Sequence, residues 1–207
     1  MTTPNESAET PVDPAAADEP ERPAQHGGGE SGPPIAGDPS SFPSDAELAR
    51  TLCWQRSRAT LSTLTADGFP YGSVVSYAPD HGGAPVVLVS DMAEHTVNAR
   101  RDTRASMLIT AAASDGDADP LGMARCTLVG HMELVDDQAS VREAYLERHP
   151  YAGYYVDFTD FGFWRLDVSQ IRYVGGFGHM SWVSARGEAP AHLEPVAQAP
   201  HGIVEHQ

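Results

Sequence analysis

Arg58-Ala59-Thr60-Leu61-Ser62-Thr63-Leu64-Thr65, then Asp67-Gly68, then Tyr71-Gly72-Ser73-Val74-Val75-Ser76-Tyr77 is the stretch on which the fold is read. Its first segment is rich in β-branched and hydroxyl side chains, which suit a pleated, half-buried surface. Asp-Gly is a two-residue hairpin signal, because a type I′ turn needs positive φ. The return segment alternates, with Tyr71, Ser73, Val75 and Tyr77 on one face. This pattern predicts an antiparallel hairpin.

The elements on either side extend the pattern. Ser44 and Glu47 form a capping box ahead of Leu48, Ala49, Leu52 and Cys53, so a short amphipathic helix is expected to run to about Arg56. Downstream, Val86 to Ser90 reads as a third strand. Asp91 and Glu94 repeat the cap pattern for a helix through Arg101, and Arg104 to Ala111 reads as a fourth strand. Met123 to Val135 alternates Cys126, Leu128, Met132 and Leu134 against Arg125, Thr127, His131 and Glu133. A helix over Asp137 to Arg148 is stopped by His149-Pro150, and Phe161 to Val168 and Ile171 to Val174 are two final strands. Strands without βαβ periodicity predict a mainly β protein, a small antiparallel barrel with peripheral helices.

Composition sets the limits around that barrel. Residues 1–43 and 186–207 are rich in Pro, Gly and acidic residues and poor in aliphatic ones, so both are expected to be loose tails flanking one domain over 44–185. No run approaches the ~18 apolar residues of a membrane span. The start of the chain has no basic region followed by an apolar stretch, which predicts no secretory signal. Cys53 and Cys126 form no CxxC and read as reduced thiols of a cytoplasmic protein. Their spacing, and the scatter of the nine histidines, gives no metal motif. No GxSxG occurs. The net charge of −16 argues against nucleic acid and anionic membranes as partners. Every cationic side chain is an arginine, so an anion must be held by Arg, hydroxyls, amides and backbone N–H groups.

Three runs carry a family resemblance: Leu61-Ser62-Thr63-Leu64; Gly72-Ser73-Val74-Val75-Ser76-Tyr77; and Leu88-Val89-Ser90-Asp91-Met92-Ala93-Glu94-His95-Thr96-Val97-Asn98-Ala99-Arg100-Arg101-Asp102. Together they resemble the pyridoxamine 5′-phosphate oxidase-like split barrels. Phe161-Gly162-Phe163-Trp164-Arg165-Leu166 and Tyr173-Val174-Gly175-Gly176-Phe177-Gly178 are similar to the branch that holds HugZ-type haem oxygenases and CREG-like proteins. The resemblance covers about Asp45 to Val183. It implies a six- to seven-stranded antiparallel split β-barrel, a homodimer, and a ligand site between subunits that usually takes FMN. Haem-degrading members of the branch normally carry a further C-terminal domain, and this chain ends shortly after the Gly-Gly-Phe-Gly run.

FMN needs donors converging on a dianion and an apolar wall for a flat ring. Ser90 lies where a strand gives way to a helix, with Thr96 and Asn98 in its first turns, and a helix N-terminus attracts anions. The competing reading is that Ser90 and Asp91 only cap the helix and His95 is an exposed residue. In related flavoproteins the His95 position is often lysine. Arg56 and Arg58 either reach a phosphate bidentately or end their elements in solvent. Ser73, Val74 and Val75 line the flavin if this strand does what it does in similar proteins, and otherwise are barrel residues. Arg125 and Thr127 occupy the polar face of the long strand. Arg165 points away from Trp164, which reads as core. His179, beside the glycine run, is a candidate haem ligand.

The expectation is an FMN-dependent oxidoreductase acting on a small molecule. The alternatives are a haem-binding or haem-degrading protein of the HugZ type and a non-catalytic CREG-like binding dimer.

Overall fold

The computed structural model describes residues 43–112, 119–176 and 178–185. The tails expected at 1–43 and 186–207 lie outside the described residues, Pro43 excepted. Helix α1 (Asp45–Gln55) opens the fold on the expected capping box, with Ser44 and Glu47 satisfying each other's backbone donors. Strands β1 (Arg58–Leu64), β2 (Pro70–Pro79) and β3 (Pro85–Ser90) follow, then α2 (Glu94–Arg101), β4 (Arg104–Thr110) and β5 (Arg125–Leu134). Helix α3 (Ala139–Arg148) and a 3-10 turn (Pro150–Tyr154) lead to β6 (Phe161–Gly176) and β7 (His179–Ser184). Among the described residues no helix is long and apolar enough to cross a membrane.

All strands belong to one antiparallel sheet of order β3-β2-β1-β4-β5-β6-β7. An additional β3–β6 pairing closes six of them into a barrel and leaves β7 on the outside of the ring. The interior holds Leu61, Val75, Tyr77, Val87, Met107, Ile109, Cys126, Leu128 and Leu166, with Ala49 and Leu52 of α1 plugging one end. A second core lies outside the barrel wall, where α3 and the 3-10 turn cover Ala78, Val86, Leu88 and Phe163 with Val141, Tyr145, Ala152 and Val156. Strand β3 is therefore buried on both faces, which accounts for its unbroken apolar run.

Three local expectations change. The β1–β2 connection is not a two-residue type I′ turn. Gly68 has φ +80° while no non-glycine residue among the described ones has positive φ, and Thr65 N–H bonds to Phe69 O. That is a three-residue loop with a left-handed glycine at its end. Helix α2 begins at Glu94 behind Ala93 with no side-chain cap; Asp91 instead pairs with Arg100 at 2.5 Å. The two final strands are one 16-residue strand, β6, and β7 is an element beyond them.

The continuity of β6 depends on a bulge. Pairing with β5 shifts between Val129 and Gly130, so Ser169 is the extra residue and its hydroxyl donates to Val129 O at 3.0 Å. A Cβ on Gly130 would lie 2.0 Å from Asp167 O, closer than any side chain tolerates. Replacing Gly130 with Ala should thus cost about 3 kcal/mol or more in urea unfolding, because backbone must move. Gly68→Ala has open space and pays only for its left-handed backbone, about 1–2 kcal/mol. Equal losses in the two variants would contradict this account of the bulge.

Candidate functional site

Cross-strand register brings one continuous row of outward side chains across six strands. Val74 lies opposite Thr60, Thr60 opposite Leu108, Leu108 opposite Thr127, Thr127 opposite Arg172, and Arg172 opposite Trp182. Val74 is 77% exposed, Trp182 55% and Leu108 38%, large values for apolar side chains on a barrel wall. Two residues further along the strands, the same face carries Arg58 beside Ser76, Arg125 between Thr110 and Val174, and Met180 beside Val174. Neither row contains a carboxylate. In a chain of net charge −16 this face holds three arginines, none ion-paired to a carboxylate among the described residues.

The arginines are held in different ways. Arg125 donates to Leu121 O and Met123 O at 3.0 and 3.2 Å, which ties its guanidinium to the loop before β5. The Arg172 guanidinium lies 5.5 Å from the Trp182 ring centroid, a cation–π contact. At the Arg58 end, Ser76 Oγ and Tyr151 OH are 2.7 Å apart, and Tyr151 OH is 3.1 Å from His149 Nδ1. His149 Nε2 lies 2.8 Å from Tyr77 O, and a carbonyl only accepts, so Nε2 carries the proton. In neutral His149, Nδ1 then accepts from Tyr151. Burial depresses the His149 pKa, and the Arg148 and Arg58 charges push the same way.

Four of the residues singled out from the sequence, Arg58, Val74, Arg125 and Thr127, share this face. Ser73 and Val75 flank Val74 in β2 and so point to its other side, and Val75 is in the barrel core. The β3–α2 corner is a separate place. Ser90 Oγ donates to Asp160 Oδ2 at 2.6 Å, and Asp91 holds Arg100. Asn98 is fully buried, donating to Thr63 Oγ1 at 3.2 Å and accepting from Arg101 at 2.9 Å. Thr96 is 1% exposed. Ser90, Asp91 and Asn98 are engaged by neighbouring side chains while Thr96 Oγ1 is buried without a partner, and the Asp91 and Asp160 carboxylates oppose a phosphate, so this donor set does not fit an FMN dianion. Arg165 pairs with Asp80 at 2.7 Å, and Arg56 ends α1, where its carbonyl accepts from Arg148. His179 Nε2 is 2.6 Å from Asp45 Oδ1 and its ring meets Tyr173 edge to face, so this histidine is turned toward α1 and stands outside the two rows. Phe177 lies outside the described residues.

Thr60, Leu108, Arg172, Met180 and Trp182 were not singled out from the sequence. Their signal was the same alternation that marked Arg125 and Thr127, for Arg172 sits between the core residues Ile171 and Tyr173. What the sequence lacked was the register that lines them up.

A family model described as the CREG β-barrel matches residues 41–188. The chain belongs to this family. A chloroplastic non-canonical haem oxygenase, HOZ of Arabidopsis thaliana, is 37% identical over 171 residues, 79% of this chain and 51% of the plant protein. This chain therefore spans about half the length of that curated relative. The solved structure of a haem-binding protein from Mycobacterium smegmatis is 45% identical with a TM-score of 0.67, over 74% of this chain and 62% of the other. A Clostridium acetobutylicum protein related to general stress protein 26, of the pyridoxine phosphate oxidase family, shares the fold at 13% identity and a TM-score of 0.52, over 67% and 93% of the two chains. This split-barrel kinship, and the CREG and haem-oxygenase branch within it, agrees with the resemblance seen in the sequence.

His95 gives a pH test of the wall behind the face. Its Nδ1 is 3.1 Å from Ser73 Oγ, its Nε2 is buried without a hydrogen-bond partner among the described residues, and burial lowers its pKa from the ordinary 6.5. The unfolded chain takes up this proton first as pH falls. The stability due to neutral His95 is therefore present above 6.5 and lost as pH drops below it. Urea midpoints taken on either side of that value should fall with acid in the parent and fall less in His95→Gln. Equal falls would show that His95 does not contribute.

Proposed function

We propose that this chain is a haem-binding split barrel that holds its ligand on the arginine-bearing face, between two copies of itself. The observation that carries the proposal is that face: Arg58, Arg125 and Arg172 without carboxylates, beside exposed Val74, Leu108, Met180 and Trp182. Haem is a flat apolar ring with two carboxylates along one edge, so it needs separated cations next to an apolar wall. The identity to the mycobacterial haem-binding protein and the plant haem oxygenase supports haem over flavin as the flat ring. An FMN-dependent oxidoreductase, the reading the sequence favoured, has less support, because the corner expected to hold its phosphate offers carboxylates.

Bound haem would supply a redox-active iron. The chain's own residues would hold the propionates with guanidinium groups and screen one side of the ring from water. A second copy is expected to supply the other side, since one protomer presents an open wall.

Two measurements test the reading. Haem added to the purified protein should give a Soret band near ~400 nm, whereas flavin bands near ~450 nm would overturn the haem assignment. Arg58→Ala and Arg125→Ala should each weaken haem about tenfold or more, the worth of one charge-assisted hydrogen bond of about 1.5–3 kcal/mol. Unchanged affinity in both would place the ligand elsewhere. For the dimer, Leu108→Arg sets a further cation against the partner's arginines in a two-fold interface. Sedimentation should report a dimer for the parent and a monomer for the variant.

A further inference from the structure

Cys53 and Cys126 are 73 positions apart in the chain, yet their sulfurs lie 3.5 Å from each other. Both thiols are free. Cys53 is in α1 and half-buried, while Cys126 is in β5 and 0% exposed. The contact is held from two sides. Tyr77, itself 0% exposed, donates its hydroxyl to Cys53 O at 2.7 Å and so anchors the turn of α1 that carries the first sulfur. Leu128 and Tyr173, in the same core, fix the strand that carries the second.

We propose that this pair is a redox modification site, closing to an intramolecular disulfide in response to a peroxide. A disulfide needs its sulfurs at about 2.05 Å, so they must approach by about 1.5 Å, a change within reach of side-chain rotation and a small shift of α1. The order of events follows from exposure. The Cys53 thiolate attacks one peroxide oxygen, the O–O bond breaks, and after protonation hydroxide leaves as water, giving a sulfenic acid at Cys53. The Cys126 sulfur then attacks Cys53 Sγ, loses its proton, and displaces a second water as the S–S bond forms. Two thiols and one peroxide become one disulfide and two waters, with each sulfur giving up one electron.

The hydrogen bond with Cys53 and then burial raise the Cys126 pKa, which makes Cys126 the poorer first nucleophile and suits it to the resolving step. The bond would fasten α1, which plugs the barrel end, to the strand that carries Arg125 and Thr127. It would also close a loop that contains β1 to β4, a long span whose restriction in the unfolded chain favours the folded state.

The test is hydrogen peroxide added to the full-length native protein, followed by unfolding in denaturant, alkylation of remaining thiols and intact mass. The proposal expects a loss of two hydrogens in mass, no alkylation, a Cys53–Cys126 linked peptide, a higher melting temperature, and full reversal by a dithiol reductant. Cys53→Ser, at the half-exposed position, should fold and show none of these changes. Linkage between two copies, independent oxidation to sulfinic acids, or two alkylatable thiols persisting after peroxide would each overturn it.

Discussion

Everything in this molecule depends on β6 being hydrogen-bonded to three strands at once. It pairs with β5 along nearly its whole length, with β3 over Phe161 to Arg165, and with β7 over Gln170 to Gly176. The first contact continues the sheet, the second closes the barrel, and the third extends the outer face beyond it. A flat 16-residue strand cannot do this, because successive strands twist and the two halves must diverge. The bulge at Ser169 opposite Gly130 supplies the bend. A residue without a side chain is required there because the Asp167 carbonyl passes through the space a Cβ would fill.

Closure also sorts polar chemistry. Inside the ring almost every side chain is apolar, and α3 with the 3-10 turn covers the outside of β2, β3 and the start of β6. The remaining outer wall, on β1, β4, β5, the later part of β6 and β7, keeps its odd mixture of exposed aliphatics, tryptophan and arginine. In this acidic chain Arg101 and Arg148 are taken up by backbone carbonyls, while Arg100, Arg104, Arg142 and Arg165 meet carboxylates. Arg58, Arg125 and Arg172 do not. No carboxylate among the described residues neutralises these three, as the proposed anionic ligand requires.

Much of the strand content could be read directly, because period-two burial is a local property. Thr60, Leu108 and Thr127 alternate with core residues along their own strands, and the capping box at Ser44 and Glu47 acts over a single turn. The α2 start was misread for the same reason in reverse. Asp91 and Glu94 have the residue types of a cap, but Asp91 is drawn away by Arg100 and the helix begins without one. Ser90 and Asn98 looked like ligand donors as residue types. In space they are spent on Asp160, Thr63 and Arg101.

What the sequence determined by itself is the barrel class, the positions of most strands, the absence of ammonium groups and the family. Those follow from periodicity, composition and contiguous motifs, all set within a few residues. The grouping of outward residues into one surface, the continuity of β6 and the meeting of Cys53 with Cys126 emerge only in the folded chain. Each of these depends on pairings between strands distant along the chain, where a shift of one residue in register would turn every side chain to the opposite face.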